Sequence, residues 1–330
     1  MQSRRKSFLN KGFRRSRNPR VCLRAPTARD TLGGNTLVRS RDSRLNRTLF
    51  ASALFVSLSA FALWPSLAPA GGKDYKVVEV KNGGTVKGVV KLSAAVDSPP
   101  VSVFKDNEKG CGDKERATER LVYDKATLGL GNVLVGLKEI GAGKDWPEEM
   151  KKEERMALID QKGCRYLPHV QWLRAKTQVA VGNEDRADHN IHGFKRTMKD
   201  TQFNFSSEPG TKKDDIEQAF LEDPAMYLVK CDIHPWMSAF VHVVEHPYWE
   251  LTSEAAADGK KPGEFVLKDV PEGEYTLVVW KEGMEETPVM ADGKISAYTY
   301  SPEIVKEIPI KVEAGKDLVV PDVVIDAPKK

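Results

Sequence analysis

Residues 225–244 read AMYLVKCDIHPWMSAFVHVV, and this stretch decides the fold. Both of its ends are rich in apolar, β-branched and aromatic residues, which is typical of β-strands. Between them lies a short loop in which a proline directly follows a histidine. The pattern predicts two strands joined by a tight loop, as in an all-β protein.

The loop carries three metal-ligating side chains at regular spacing, which are Cys231, His234 and Met237. Thiolate and thioether sulfurs favour Cu(I), and imidazole also suits Cu(II), whereas methionine is a poor ligand for zinc. Upstream, residues 188–194 read DHNIHGF, and one of the two histidines in this stretch would complete the set. Two histidines, one cysteine and a weak axial methionine form a type 1 (blue) copper site. The sequence therefore predicts one copper ion as cofactor.

Residues 176–244 resemble the second half of a cupredoxin, and the ligand loop is similar to that of amicyanin. In that family the first ligand is the histidine directly before an asparagine. The resemblance implies that His189 is the first ligand and that Asn190 hydrogen-bonds towards the ligand loop, with His192 as the alternative ligand. One departure is Gly193, which follows His192 where amicyanin has phenylalanine, so the next strand is expected to start differently.

The other histidines are predicted to have ordinary roles. His242 and His246 have a helical metal-binding spacing, but they lie on a strand and at its end, so we expect packing or surface roles. His169 precedes a predicted strand and is expected to be structural.

The cysteine count indicates a disulfide. Cys22 lies in the basic leader described below, which leaves Cys111, Cys164 and the loop cysteine Cys231. The first two lie in glycine-containing, polar, turn-like settings without metal-spaced neighbours. We expect a Cys111–Cys164 disulfide, which leaves Cys231 free to bind the metal.

The N-terminus has the parts of a secretory signal peptide. Residues 49–63 form an uncharged apolar stretch after a basic region, and Ala68-Pro69-Ala70 supplies a small-x-small cleavage site. A membrane anchor is the alternative, but the stretch is shorter than the roughly 20 residues that a bilayer requires. We expect 1–70 to be removed and the rest to be exported, with the periplasm as its location.

The charge balance supports this division. The chain has 330 residues with 51 Lys+Arg and 47 Asp+Glu, a net charge of +4. Residues 1–50 hold 14 of the basic and 2 of the acidic residues, so 51–330 hold 37 and 45, a net charge of −8. The acidic remainder argues against nucleic acid as a partner.

A second β-sandwich is expected around the copper-binding segment. Strand-like residues fill 71–140. In the C-terminal segment, 247–330, residues 263–280 read GEFVLKDVPEGEYTLVVW and resemble the carboxypeptidase-regulatory (transthyretin-like) sandwich. We expect the cupredoxin segment, 164–246, to interrupt that sandwich, with a serial arrangement as the alternative. Residues 141–163 are predicted to be a solvated insertion containing a helix over 145–161.

The sequence predicts an electron carrier and not an enzyme, without a stable membrane span after the leader. His234 is expected to lie nearest the solvent, with Pro235 and Trp236 forming an apolar docking patch. An acidic carrier favours basic redox partners, such as a c-type cytochrome, and a periplasmic dehydrogenase is another candidate. The alternatives are a copper storage or delivery protein and a surface scaffold module whose copper site is incidental.

Overall fold

Strict alternation of buried and half-buried side chains along residues 84–92 shows how this chain forms strands. A computed structural model describes residues 75–96, 101–104, 111, 114–138, 140–151, 156–196, 198–212, 218–257 and 259–328. These residues lie in one unit of the chain, Pro65–Lys330. The predicted leader and its cleavage site lie outside the described residues. Within these ranges, no helix has the length and apolar character to cross a bilayer.

Strands account for nearly all the regular structure of the described residues, and the fold is all-β, as predicted. In chain order the elements are β1 (Lys76–Val77), β2 (Gly84–Leu92), β3 (Val101–Phe104), β4 (Lys114–Ala117), β5 (Leu134–Lys138), β6 (Ala142–Gly143), α1 (Glu148–Lys151), β7 (Met156–Gln161), β8 (Tyr166–Leu167), β9 (Val170–Arg174), β10 (Thr177–Asn183), β11 (His189–Lys195), β12 (Thr201–Ser207), β13 (Gln218–Leu221), β14 (Ala225–Lys230), β15 (Ser238–Val244), β16 (Trp249–Leu251), β17 (Glu264–Val270), β18 (Gly273–Lys281), β19 (Glu286–Ala291), β20 (Lys294–Tyr300), β21 (Ile304–Val312), β22 (Asp317–Val319) and β23 (Val323–Ile325).

Strands β7 to β15 form the central sandwich. One sheet has the order β13-β10-β7-β8 and the other the order β12-β11-β14-β15-β9. Their facing side chains share one apolar core, which includes Ile159, Val179, Val181, Ile191, Val229, Ala239 and Val241. Burying such side chains supplies the main driving force for holding two sheets together.

The flanking sandwich is built from strands on both sides of the central one in sequence. Its sheets have the orders β16-β5-β18-β21 and β17-β2-β22, with β23 also paired to β2. The shared core includes Val86, Val90, Val135, Leu137, Phe265, Leu277 and Val279. Because β5 precedes the central sandwich and its partner β18 follows it, the chain leaves the flanking sandwich and later returns to it.

An apolar cluster joins the two sandwiches. Phe240 on β15 and Val170 on β9 pack with Leu134 on β5 and Trp280 on β18. Phe240 and Trp280 have ring centroids 5.4 Å apart. The central sheet that carries the ligand loop therefore rests on the flanking sandwich.

The helix predicted over 145–161 is wrong for most of its length. Helix α1 spans Glu148–Lys151, and Met156–Gln161 is strand β7, which pairs in parallel with β10. In β7, Ala157 and Ile159 are buried and alternate with half-buried neighbours. This period of two places apolar side chains in the sandwich core, and that packing outweighs helix propensity.

Candidate metal centre

The ligand loop connects two paired strands of the central sandwich. Lys230 at the end of β14 lies opposite Ser238 at the start of β15, so residues 231–237 must turn back within a short distance. The Met237 N–H donates to the His234 carbonyl at 3.0 Å, and the Cys231 N–H donates to the Met237 carbonyl at 3.3 Å. These bonds close the loop on itself and fix the backbone that carries its three candidate ligands.

Strand β11 brings the fourth candidate ligand to the same place. It pairs with β14 so that His192 lies opposite Lys230, which leaves His189 beyond that end of the ladder, beside the loop. The Nδ1 atoms of His189 and His234 are 2.9 Å apart. The Cys231 Sγ lies 3.7 Å from the His234 Nδ1. Both histidines therefore turn the same nitrogen inward, towards the thiol.

All four candidate ligands are shielded from water. His189, His234 and Met237 are each 1% exposed, and Cys231 is 2% exposed. Polar side chains this deeply buried need partners, and these face one another. The structure therefore brings His189, Cys231 and His234 together, with Met237 held in the same closed loop.

Electrostatics around the thiol favour its ionised form. Burial alone would raise the pKa of Cys231, but hydrogen bonds from His189 and His234 lower it to about 6. Burial likewise opposes protonation of His189, yet hydrogen bonds to Asp185 and Cys231 raise the pKa of that imidazole to about 9. A thiolate is the form of cysteine that binds metal, whereas the imidazole of His189 must give up its proton when a metal binds.

The outward nitrogens of the two imidazoles have different partners. The His189 Nε2 lies 3.0 Å from the Asp185 Oδ2. The His234 Nε2 lies 3.6 Å from the Sγ of Cys111. Cys111 is disulfide-bonded to Cys164, as the sequence predicts. Sequence reasoning missed Asp185, since a lone aspartate before a histidine gives no distinctive pattern.

A buried tyrosine beside the thiol is a second residue that the sequence analysis missed. Tyr166 is fully buried, and its hydroxyl donates to the Asn190 carbonyl at 2.5 Å. Burial, and after it the neighbouring Cys231, raises the pKa of the phenol well above 10. The phenol therefore stays neutral beside the thiolate.

Asn190 connects β11 to the ligand loop through Asp232, the residue after the thiol. Its side-chain oxygen accepts the Asp232 N–H at 2.6 Å, and its side-chain nitrogen donates to the Asp232 carboxylate at 3.0 Å. Two bonds of opposite direction fix the first peptide of the loop against β11.

His192 faces away from the candidate ligands. Its Nδ1 lies 3.0 Å from the Asp232 carboxylate, and its Nε2 lies 2.9 Å from the Thr201 hydroxyl. The register of β11 against β12 shifts between Gly193 and Phe194. A side chain at Gly193, which lies within β11 at this shift, would collide with the ring of Phe203.

The expectation that His234 lies nearest the solvent is wrong. Its ring is buried beneath the Cys111 sulfur and lies 5.0 Å, centroid to centroid, from the ring of Trp236. The Trp236 Nε1 donates to the Cys164 carbonyl at 3.1 Å, which holds the indole against the disulfide-bonded turn. Pro235 and Trp236 are both half-buried.

The three other histidines lie away from this cluster and are buried. His242 packs 4.2 Å from the ring of Trp280, and burial lowers its pKa to about 3. Burial also lowers the pKa of His246 to about 4. His169 contacts the Glu282 carboxylate at 2.5 Å. The structure therefore gives the first two packing roles and the third an ionic partner.

The donor set fits copper. Two imidazoles, a thiolate-forming cysteine and a loop methionine match the combination of a type 1 site. Other nearby groupings include Cys111 with His189 and His234, or Cys164 with Asp185 and His189. In both groupings the extra sulfur belongs to the disulfide, so Cys231 is the free thiol that the described residues offer as a ligand.

Comparison with known proteins finds several solved structures that are similar to part of this chain. A purple cupredoxin from Nitrosopumilus maritimus is 23% identical over 26% of this chain and 96% of its own, with a TM-score of 0.23. An amicyanin from Paracoccus versutus is 18% identical over 28% and 83%, with a TM-score of 0.24. A copper-containing nitrite reductase from Thermus scotoductus is 20% identical over 33% and 25%, with a TM-score of 0.24.

No protein-family model and no curated protein sequence matches the chain. The structural likenesses concern about a quarter to a third of the chain, and with such low TM-scores they carry no argument about activity. The predicted resemblance of the flanking sandwich to carboxypeptidase-regulatory modules stays a prediction.

Proposed function

We propose that this protein is an exported electron carrier with one type 1 copper centre, ligated by His189, Cys231, His234 and Met237. The observation that carries the proposal is the convergence of two inward Nδ1 atoms, 2.9 Å apart, on a buried cysteine whose pKa is lowered to about 6. Bound copper would supply a one-electron couple between Cu(I) and Cu(II).

The surrounding chain would keep the ligand positions unchanged during electron transfer. The loop backbone is closed by its own hydrogen bonds, and Asn190 ties its first residues to β11. Burial excludes water from the thiol and both imidazoles. Ligands that are held in place by their surroundings rearrange little when the metal changes its charge. This favours rapid electron transfer.

Export and the class of partner are part of the proposal. Removal of the basic leader would leave a protein with excess acidic charge. Such a surface would steer the carrier towards basic redox proteins, such as a c-type cytochrome or a periplasmic dehydrogenase, at rates that fall as salt rises.

Copper loading tests the proposal directly. We expect Cu(II) to give an intense visible thiolate charge-transfer band, which the substitution Cys231→Ser abolishes. His192→Ala is the matched control, because this histidine contacts Asp232 and Thr201 rather than the thiol, and it should keep the band. A colourless wild-type protein at full copper loading would overturn the assignment.

A further inference from the structure

The disulfide-bonded turn contacts both candidate imidazoles from outside the site. We call the Cys111–Cys164 disulfide together with Asp185 the imidazole clamp. One half of the clamp lies against His189 and the other against His234. The disulfide bond joins Cys111 to Cys164, whose N–H group is one of two that Asp185 accepts.

The first half acts through Asp185. Its carboxylate accepts the N–H groups of Gly163 and Cys164 at 2.6 and 2.8 Å. The same carboxylate lies 3.0 Å from the His189 Nε2, and the imidazole is completely buried. Three bonds thus fix one carboxylate between the turn and the ligand, and this fixes the direction in which the His189 Nδ1 faces.

The second half acts through sulfur and the neighbouring indole. The Cys111 Sγ lies 3.6 Å from the His234 Nε2, on the opposite side of the ring from the thiol of Cys231. The Cys164 carbonyl accepts the indole N–H of Trp236, two residues after His234. The disulfide-bonded turn therefore contacts the ligand loop at two points.

We propose that the imidazole clamp positions both copper imidazoles, so that Cys111, Cys164 and Asp185 set the properties of the metal centre in addition to stabilising the fold. The copper-dependent part of this inference rests on the proposed function. Outer partners of metal-bound histidines fix the orientation of the ring, and their loss typically lowers metal affinity about 10–100-fold.

The first test uses the metal-free protein, so that it does not depend on copper. Imidazole nitrogen NMR would follow His189 and His234 before and after reduction of the disulfide with a phosphine, and in the double variant Cys111→Ala/Cys164→Ala. We expect the signals of both rings to move. Signals of both rings that stay in place in the folded, reduced protein would overturn the proposal.

Leu173→Ala is the matched control for lost stability. Leu173 is buried in the same sandwich, and its strand β9 pairs with β15 at Val243, away from the loop. This variant should be destabilised but should leave both ring signals unchanged. If it moved them as strongly as reduction does, the effect would be general loosening, and the clamp would be disproved.

The second test uses Cu(II)-loaded protein and keeps the disulfide intact. In competition with a chelator, Asp185→Ala should bind copper about 10–100-fold more weakly than the wild type. The variant should also show a changed copper hyperfine splitting. Asp185→Asn retains an oxygen for the turn and should restore part of the affinity. Equal affinity and splitting in all three proteins would overturn the role of Asp185.

The two tests separate the clamp from the proposed function. If the wild-type protein gives no thiolate band while ring signals still move on reduction, the copper proposal fails and the clamp stands. If the band is present but neither reduction nor Asp185→Ala alters ring signals, splitting or affinity, the clamp fails and the copper proposal stands.

Discussion

Two groups of buried polar side chains lie on either side of Ser238, and they differ in chemistry. On one side, the ligand loop brings the sulfur of Cys231 to 3.7 Å from the Nδ1 of His234, so that both donors face one point. On the other side, the Arg120 guanidinium donates to the Ser238 hydroxyl at 2.8 Å, and the His169 Nδ1 lies 3.0 Å from the Ser238 carbonyl oxygen. There the side chains pair with one another.

The second group, which we call the boundary cluster, holds full charges where the two sandwiches meet. The Arg120 Nη1 lies 2.8 Å from the Glu282 Oε2, and the Lys281 Nζ lies 3.2 Å from the Oε1 of the same carboxylate. The Arg120 guanidinium also stacks 3.5 Å above the ring of Tyr300. Each charge in this cluster has an opposite charge or an aromatic face beside it.

The difference suggests how buried polarity can be divided between stability and function. Charged side chains that pair with one another have no donor atom left for a ligand, and they connect the strands and loops that carry them. A thiolate and imidazole nitrogens that converge on one point can instead bind a soft cation. We therefore expect changes in the boundary cluster to alter the free energy of unfolding, and changes in the ligand loop to alter the spectrum.

The largest effect on stability is expected from Glu282→Gln. The amide keeps the volume but leaves Arg120 and Lys281 buried without the carboxylate they share, which costs about 3–5 kcal/mol for a broken buried pair. Urea unfolding would measure the loss, and the thiolate band of the copper-loaded protein should remain.

The same substitution at an exposed ion pair provides the control. Glu307 lies 3.0 Å from the Lys138 Nζ with both side chains partly exposed to solvent. Glu307→Gln should change stability by less than about 1 kcal/mol. A similar loss at both positions would show that the boundary cluster contributes no more than a surface pair.

As the pH falls, the boundary region should lose stability before the carboxylates of that region become protonated. Burial lowers the pKa of His242 from 6.5 to about 3, so the folded protein resists a proton that the unfolded chain accepts. The stability contributed by the neutral ring is complete above pH 6.5 and falls by about 1.4 kcal/mol per pH unit down to about pH 3. His242→Phe should remove this contribution from the pH dependence of urea unfolding, while the slope that comes from His246, whose pKa burial lowers to about 4, remains.

Glu282 contributes at lower pH and with its own sign. Burial alone would raise its pKa, but His169, Lys281 and Arg120 lower it from 4.5 to about 2. Its stabilisation is present above pH 4.5 and is lost as the pH falls to about 2. A wild-type acid slope that begins only below pH 4.5 would contradict the role of His242.

The ligand loop was predictable because its information is local. Cys231, His234 and Met237 lie within one loop between two strands, so spacing and residue type sufficed. The disulfide followed from the cysteine count. By contrast, the contacts of Asp185 and of the Cys111 sulfur depend on how distant turns pack, and no local pattern encodes such packing.

Two expectations failed for the same physical reason. The charged residues around 145–161 favour a helix, but the buried positions Ala157 and Ile159 place Met156–Gln161 in a sheet. His234 was expected to lie nearest the solvent, but Cys111, more than a hundred residues earlier, covers it. Tertiary packing decided both, and a single sequence does not show it.

A small effect on stability, with a clear effect on the copper centre, is expected from Met237→Leu. Leucine has nearly the volume of methionine, so exchange in this 1% exposed position should cost less than about 1.5 kcal/mol. Leucine has no thioether to stabilise Cu(II), so the reduction potential should rise while the thiolate band of Cys231 persists. Cyclic voltammetry and urea unfolding on the same copper-loaded sample would measure both quantities. An unchanged potential would mean that Met237 is a packing residue, and the ligand loop would then share its stabilising role with the boundary cluster.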